Sequence, residues 1–192
     1  MEPTQMAIYE SSIKKNIELM EVIVTNKDDK QLIFKQVQMY LAELNFTIST
    51  FDFNRPWGGF FVIDETDTEK FLAAFFPQLK QQEVLIGNKL SPKILVVAPN
   101  KRLSWQYHHR RAELWKLIAG QAGIVTSHND EELTSKHLTI NDIVVLQQGE
   151  RHRLIGLQQF GIIAEIWQHT DINNPSNEDD IVRLQDDFGR SN

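Results

Sequence analysis

Four side chains able to bind a metal ion fall where only adjacent β-strands could bring them together: Gln106, His108 and Glu113 in one stretch, and His152 well downstream. Successive side chains alternate across a strand, so Gln106 and His108 share one face while Tyr107 and His109 point to the other. After a turn at Arg110-Arg111 the returning strand opens with Glu113 on that same face. The tight turn Gln147-Gln148-Gly149-Glu150 then launches a further strand at His152. Two imidazoles, one carboxylate and one amide oxygen suit Zn²⁺ or a neighbouring divalent ion. A Gln-x-His pair alone is more often surface decoration; the full spacing, with parity kept across two turns, is what points to a site.

The chain from Lys93 onward reads as strands: Ile94–Val97, Ser104–His109, Leu114–Ile118, Gly123–Thr126, Asp142–Leu146, His152–Ile155 and Gly161–Trp167, with turn residues between them. Short strands at regular spacing predict a sandwich or barrel. Earlier strands are expected at Phe46–Ile48, Phe51–Phe53 and Phe60–Ile63. The first fifty residues differ. Ile13, Ile17, Met20 and Ile23 recur at helical spacing, as do Ile33, Val37, Tyr40, Leu41 and Leu44, with Asn26-Lys27-Asp28-Asp29 as the polar break. This divides the chain into a helical extension over 1–53 that packs on the barrel or on a partner, and a barrel with a C-terminal tail over 54–192. Thr66-Asp67-Thr68-Glu69 reads as a capping box opening a short helix with Phe71, Leu72, Phe75, Phe76 and Leu79 on its apolar face, shortened or kinked by Pro77. That helix is an insertion between strands and reads as a packing element, with a lid as the alternative.

Gln106-x-His108-x4-Glu113-x6-Gly120 followed by Gly149-x2-His152 resembles the two motifs of the cupin superfamily, with Gln106 where the first motif usually has histidine. Phosphomannose isomerases of the cupin type carry Gln-x-His at that place. Arg55-Pro56-Trp57-Gly58, Leu103-Ser104-Trp105-Gln106-Tyr107-His108-His109, and Glu178-Asp179-Asp180-Ile181-Val182-Arg183 through Asp186-Asp187-Phe188-Gly189-Arg190 are similar to three ordered blocks of the type II mannose-6-phosphate isomerase domain. The resemblance implies a mainly β cupin jelly roll with a helical extension and one inserted helix. It also implies an aldose–ketose isomerisation, mannose 6-phosphate to fructose 6-phosphate, through a cis-enediol.

The departures bear on function. Asn100 and Asn141 replace the glycines that lead the two cupin motifs, and asparagine tolerates positive φ best after glycine. Gln147 replaces a proline and Gly156 an asparagine. The family's H-H-H-R-A-E-H-W becomes His108-His109-Arg110-Arg111-Ala112-Glu113-Leu114-Trp115, so two histidines are lost, at Arg110 and Leu114. Those losses favour a rival reading, a metal-binding cupin that binds or senses a sugar phosphate without turnover. A related aldose or ketose phosphate, such as a heptose phosphate, is a third, because fold and metal do not fix the sugar.

By this resemblance the catalytic candidates are Arg190 in the closing block and Glu165 on the last strand, as the base. Arg190, with Lys101, Arg102 and Arg110 by their position near the mouth, is a candidate to grip phosphate or an enediolate oxygen. Trp57 and Trp115 read as core or wall. On composition the tail after Asn173 is a solvated end; the resemblance folds it back over the barrel mouth.

With 20 basic and 26 acidic residues the net charge of −6 argues against a duplex nucleic-acid partner. The chain has no cysteine, which excludes disulfides and thiolate ligands and agrees with a reducing compartment. Neither a signal-peptide pattern nor an apolar run near the ~20 residues that span a bilayer is present. The expectation is a cytoplasmic protein with no membrane partner, paired as a homodimer through its helices and early strands.

Overall fold

The computed structural model describes residues 3–25, 29–80, 84–85 and 89–190. In chain order come α1 (Pro3–Thr25), α2 (Lys30–Glu43), β1 (Ile48–Arg55), β2 (Gly58–Ile63), a 3₁₀ turn (Glu65–Asp67) and α3 (Thr68–Phe75). Then follow β3 (Lys93–Val97), β4 (Trp105–Tyr107), β5 (Arg111–Ser127), β6 (Lys136–His137), β7 (Ile143–Leu146), β8 (Arg151–His169) and β9 (Val182–Gln185).

β5 and β8 are the spine of the barrel. They pair antiparallel from Arg111 opposite His169 to Ser127 opposite Arg151. The first half of β5 and the second half of β8 belong to a layer that continues through β3, β2 and β1 on one flank and β7 on the other. Their remaining halves belong to a layer with β4 and β9 on one flank and β6 on the other. The strands pass between layers where Gly120 faces Gly161, with register slips on both sides. Gly120 has φ +74°, and a Cβ there would lie 1.8 Å from the Phe160 carbonyl oxygen, so only glycine fits the bend. Here the sequence reading is corrected: Leu114–Ile118 and Gly123–Thr126 are parts of one 17-residue strand, and His152–Ile155 and Gly161–Trp167 parts of one 19-residue strand. Their glycines bend the strands and do not end them. The result is the expected cupin jelly roll.

Two apolar cores result. Between the layers lie Trp57, Leu95, Val97, Trp115, Leu117, Ile124, Leu146, Leu154 and Ile163. Beneath the helices, the outer faces of β2, β3, β5 and β8 offer Phe61, Ile63, Ile94, Val96, Leu114, Ile118, Ile162 and Ile166 to Ile23, Ile33, Phe34, Val37, Leu41, Phe71 and Phe75. Burying such a side chain stabilises by roughly 1.5–3 kcal/mol, so the helices cover a face the barrel could not leave to water. α3 joins this outer core as a packing element, with Phe71 and Phe75 against Phe46. The 53/54 division falls inside β1.

Local details differ from the sequence pattern in two places. The buried face of α1 carries Ser12, Asn16, Leu19 and Ile23, while Ile17 is exposed. The two polar residues are buried because Ser12 Oγ donates to Ala74 O at 2.8 Å and Asn16 Oδ1 accepts from Tyr40 Oη at 2.5 Å. Thr66 does not cap α3: Asp64 caps the preceding 3₁₀ turn by accepting from Thr66 N, and Asp67 precedes the helix without a capping bond, its carboxylate accepting instead from Thr47 N and Lys70 Nζ. Asn26, Lys27 and Asp28, expected as the break between α1 and α2, lie outside the described residues. Asn100 and Asn141 have φ +56° and +72°, as their replacement of glycine predicts. Among the described residues no helix is long and apolar enough to cross a membrane.

Gly120→Ala should destabilise the protein by about 2–3 kcal/mol, because it adds a carbonyl clash to an unfavourable φ. Gly149→Ala should cost markedly less: φ there is +76°, but a Cβ would meet nothing within 4 Å. Chemical denaturation of the two variants measures the difference, and equal losses would contradict the role assigned to the bend.

Candidate metal centre

The donor atoms of His108, Glu113 and His152 come within 4.8 Å of one another, and all three residues are buried. Gln106 and His152 are direct partners across β4 and β8, so their side chains share the inner face. His108 lies one residue beyond β4, and Glu113 is the third residue of β5. His108 Nε2 is 3.2 Å from Glu113 Oε1, and His152 Nε2 is 3.4 Å from Glu113 Oε2. Each imidazole has its other nitrogen on a main-chain carbonyl: His108 Nδ1 on Asp180 O at 2.5 Å and His152 Nδ1 on Glu150 O at 3.0 Å. These bonds place the protons on Nδ1 and aim both Nε2 lone pairs at the cluster.

The donor set fits a divalent cation. Glu113 Oε2 and His152 Nε2 are buried without a hydrogen-bond partner, and both are good cation donors. Burial opposes the charge on Glu113, yet its positively charged surroundings, with the Arg111 guanidinium on Oε1, outweigh it and hold the carboxylate well below its ordinary range. Burial likewise pushes His152 down to about 4, which keeps the imidazole neutral, the form that ligates. Gln106 needs one adjustment: Ser104 Oγ donates to its Oε1 at 2.5 Å, so its amide nitrogen faces His108 Nε2 at 3.5 Å. A half-turn of the amide presents the oxygen, the atom that can ligate.

Glu113 and Gln106 open onto a cavity of about 310 Å³ between the layers. Glu165 stands in its wall opposite Lys93 on β3 and Trp115 on β5. The indole N–H groups of Trp115 and Trp167 donate to its two oxygens at 3.0 and 3.1 Å. Burial, aided by the negative charge of Glu113, pushes Glu165 up to about 7. The cavity also receives Arg55, Arg111, Arg183 and Arg190. Arg183 is the direct partner of Gln106 across β9 and β4. The Arg111 guanidinium lies 3.6 Å from the Trp167 ring centre and donates to Glu113 Oε1 at 2.7 Å and to His108 Nε2 at 3.1 Å.

The structure brings Gln106, His108, Glu113, His152, Glu165 and Arg190 to one region. Lys101 and Arg102 instead line a separate cavity with Gly120, His137 and Leu157. Arg102 is paired with Asp187 through Nε at 2.6 Å and Nη2 at 2.9 Å. Arg110 reaches the tail, donating to Asn174 Oδ1 at 2.6 Å and Asn177 Oδ1 at 3.0 Å. All three turn away from the cavity because acceptors on the tail hold them or because they lie at the other end of the barrel. The cavity cations missed by spacing arguments are Arg55, Lys93, Arg111 and Arg183. Arg55 and Arg183 sit inside the Arg-Pro-Trp-Gly and Ile-Val-Arg blocks, where motif position was the available signal. Leu114 packs in the outer core, so a histidine at that position would not face the site.

Comparison with known proteins gives a family. Residues 66–186 match the family described as mannose-6-phosphate isomerase C-terminal. The chain is 31% identical to the alginate biosynthesis protein AlgA of Pseudomonas syringae pv. tomato over 127 residues, covering 66% of the chain and 25% of AlgA. It is 27% identical over 194 residues to the xanthan biosynthesis protein XanB of Xanthomonas campestris pv. campestris, covering 95% and 35%. With mannose-1-phosphate guanylyltransferase 2 of Escherichia coli O157:H7 it shares 26% over 168 residues, covering 87% and 29%. The chain thus spans about a third or less of the length of these relatives. A solved structure described as DMSP lyases RdDddP and RnDddQII aligns over 79% of the chain and 69% of its own, with 15% identity and a TM-score of 0.46.

Elemental analysis after reloading with Zn²⁺ should find about one ion per chain in the wild type, the stoichiometry of a single closed donor set. His152→Ala and Glu113→Ala should each retain little of it. Equal metal content in all three proteins would reject the centre.

Proposed function

The chain belongs to the mannose-6-phosphate isomerase C-terminal family, and from that membership we propose that it is a metal-dependent sugar-phosphate isomerase. Its substrate is mannose 6-phosphate, converted to fructose 6-phosphate, or a related aldose or ketose phosphate such as a heptose phosphate. The observation that carries this reading is the cavity: Gln106 and Glu113, the second clustered with His108 and His152, face the same space as the buried carboxylate of Glu165 and several arginines.

Gln106, His108, Glu113 and His152 would hold the metal, with Zn²⁺ favoured by the nitrogen-rich donor set. When bound, the ion would stabilise negative charge developing on the substrate's O1 and O2. Glu165 is the base. Its carboxylate takes the C2 proton of the aldose as O1 gains a proton to give the cis-enediol, then returns it to C1 as O2 loses its proton to become the ketone; the reverse direction starts from C1. Two indole donors hold both of its oxygens in place, and a value near 7 suits a group that must both accept and release a proton at neutral pH. Lys93, directly across the β3–β8 ladder, offsets the negative charge when Glu165 is ionised. Arg55, Arg183 and Arg190 line the cavity and supply the guanidinium geometry that suits a phosphate, Arg55 and Arg190 from positions set by Asp52 and Asp186. This reading assigns the phosphate to those three and not to Lys101, Arg102 or Arg110.

The rival, a cupin that binds sugar phosphate without turnover, was favoured by the two lost histidines. Leu114 lies in the outer core, so the change there removes no group from the cavity wall, and Arg110 binds the tail instead. The catalytic reading is therefore preferred. We further propose a homodimer. β1 is an edge strand with Phe51 half exposed, and Ile17 of α1 and Met39 of α2 are also exposed, which supports pairing through the early elements. A cytoplasmic location accords with the substrate class and the absence of cysteine.

Glu165→Gln should lower kcat by about 10²–10⁴-fold while leaving metal content unchanged. Because the base works ionised, wild-type kcat/KM should rise with pH up to about 7 and level off above it. Proton exchange at C2 of mannose 6-phosphate, followed by NMR, checks both. Binding without exchange in the wild type would favour the non-catalytic reading. Light scattering at micromolar concentrations tests the dimer, and a monomer would reject it.

A further inference from the structure

The two candidate imidazole ligands are oriented by different parts of the chain. His152 Nδ1 bonds to Glu150 O, two residues away in its own turn. His108 Nδ1 bonds to Asp180 O, which comes from the tail 72 residues downstream. This tail leaves β8 at His169, crosses the mouth of the barrel and returns to pair β9 with β4.

Asp180 acts on the His108 loop twice. Its carbonyl receives the ring, and its carboxylate accepts the main-chain N–H of His109 at 3.1 Å and of Arg110 at 2.9 Å. The carboxylate is fixed in turn by Ser176 Oγ, donating at 2.7 Å, and faces the Arg110 guanidinium at 3.6 Å. Ser176 is also tied to the barrel, since its N–H donates to His169 Nδ1 at 3.0 Å and its Oγ accepts from Arg111 Nη1 at 2.9 Å. Asp180 is 5% exposed, so these bonds form where water competes poorly. On the other side the loop is held by Gly149 N–H, donating to His108 O at 2.9 Å.

We propose that Asp180 is a positioning residue for the metal centre: its carboxylate clamps the tail to the His109–Arg110 main chain and so holds its own carbonyl where it fixes the tautomer and ring direction of His108, and docking of the tail segment 176–183 and metal binding reinforce each other. This rests on the metal-centre reading above. The coupling is reciprocal by linkage: whatever the docked tail adds to metal affinity, the metal adds to docking of the tail. Removing a group that orients a ligating histidine typically lowers metal affinity by about 10–100-fold.

Asp180→Ala keeps the carbonyl that receives the ring but removes the carboxylate that holds it against the His108 loop, so Zn²⁺ affinity measured against a chromophoric chelator should fall by about 10–100-fold. Asp180→Asn keeps one acceptor oxygen and should lie between Asp180→Ala and the wild type. Arg102→Ala, which releases the tail at Asp187 without touching the His108 loop, should stay near the wild type. The visible spectrum of the Co²⁺ form should change in Asp180→Ala and not in Arg102→Ala, a readout that loss of stability alone would not move. In the wild type, Zn²⁺ should slow amide hydrogen exchange at His109, Arg110 and residues 176–183, a measurement that decides the matter even if Asp180→Ala fails to fold. Equal Zn²⁺ affinity in Asp180→Ala and the wild type, or tail exchange indifferent to Zn²⁺, overturns the proposal. A wild type that binds no Zn²⁺ overturns it together with the metal centre, whereas binding with no dependence on Asp180 overturns it alone.

Discussion

The long antiparallel pairing of β5 with β8, bent where Gly120 meets Gly161, is the constraint on which the rest of the structure depends. Because these two strands serve both layers, their inner faces look into one interior from two directions. Glu113 and Trp115 precede the bend on β5; His152 precedes it and Glu165 follows it on β8. A strand that ended at the glycines would leave the β8 residues in separate elements, with their separation set by a loop. The bend fixes it by backbone geometry, which is the kind of rigid support a reaction centre needs.

Burying this much charge carries a cost, and the structure meets it by pairing. Glu113, Glu165, Lys93, Arg111, Arg153, His108, His152 and His169 are all buried. Arg153 is held by Glu132 at 2.8 and 2.9 Å, away from the site, while Lys93 lies over the Trp167 ring at 3.6 Å and reaches Glu178 on the tail. Buried ion pairs add little net stability over apolar packing, so their concentration around one cavity reads as chemistry kept against that cost. The two carboxylates of the cavity are driven apart by their surroundings. Glu113, among imidazoles and a guanidinium, stays ionised, whereas burial and the charge of Glu113 push Glu165 up to about 7. One is thereby suited to hold a cation and the other to move a proton.

The tail shows how departures from a family pattern can be absorbed by structure. Arg110 and Arg102 carry the charge expected of phosphate ligands, yet each is bound to acceptors in the last twenty residues and ties the tail to the barrel. A polar segment without an apolar face of its own is thereby held against the mouth by directed bonds. That arrangement places Ile181, Arg183 and Arg190 in the cavity wall and Asp180 against the His108 loop.

Strand parity was enough to put Gln106, Glu113 and His152 on one face, because a period of two leaves no freedom about which face a side chain takes, whereas His108, one residue beyond β4, is turned toward them with the help of the Asp180 carbonyl. Positive φ at Asn100 and Asn141 was legible for a similarly local reason, and so was the apolar face of α2. The direction of a long flexible side chain was not legible, since a lysine or arginine near a barrel mouth goes where an acceptor waits, and the acceptors for Arg102 and Arg110 lie some 65–85 positions away in sequence. Nor could local pattern tell a glycine that ends a strand from one that bends it, because that is decided by the carbonyl facing it across the ladder. Buried Ser12 and Asn16 on α1 follow the same rule: their partners, Ala74 and Tyr40, exist only once the helices have packed. The sequence by itself determined which groups could share a face and hold a cation; the tertiary structure decided which cations line the cavity and which carboxylate is left near neutrality, because both depend on burial and on partners that distant segments supply.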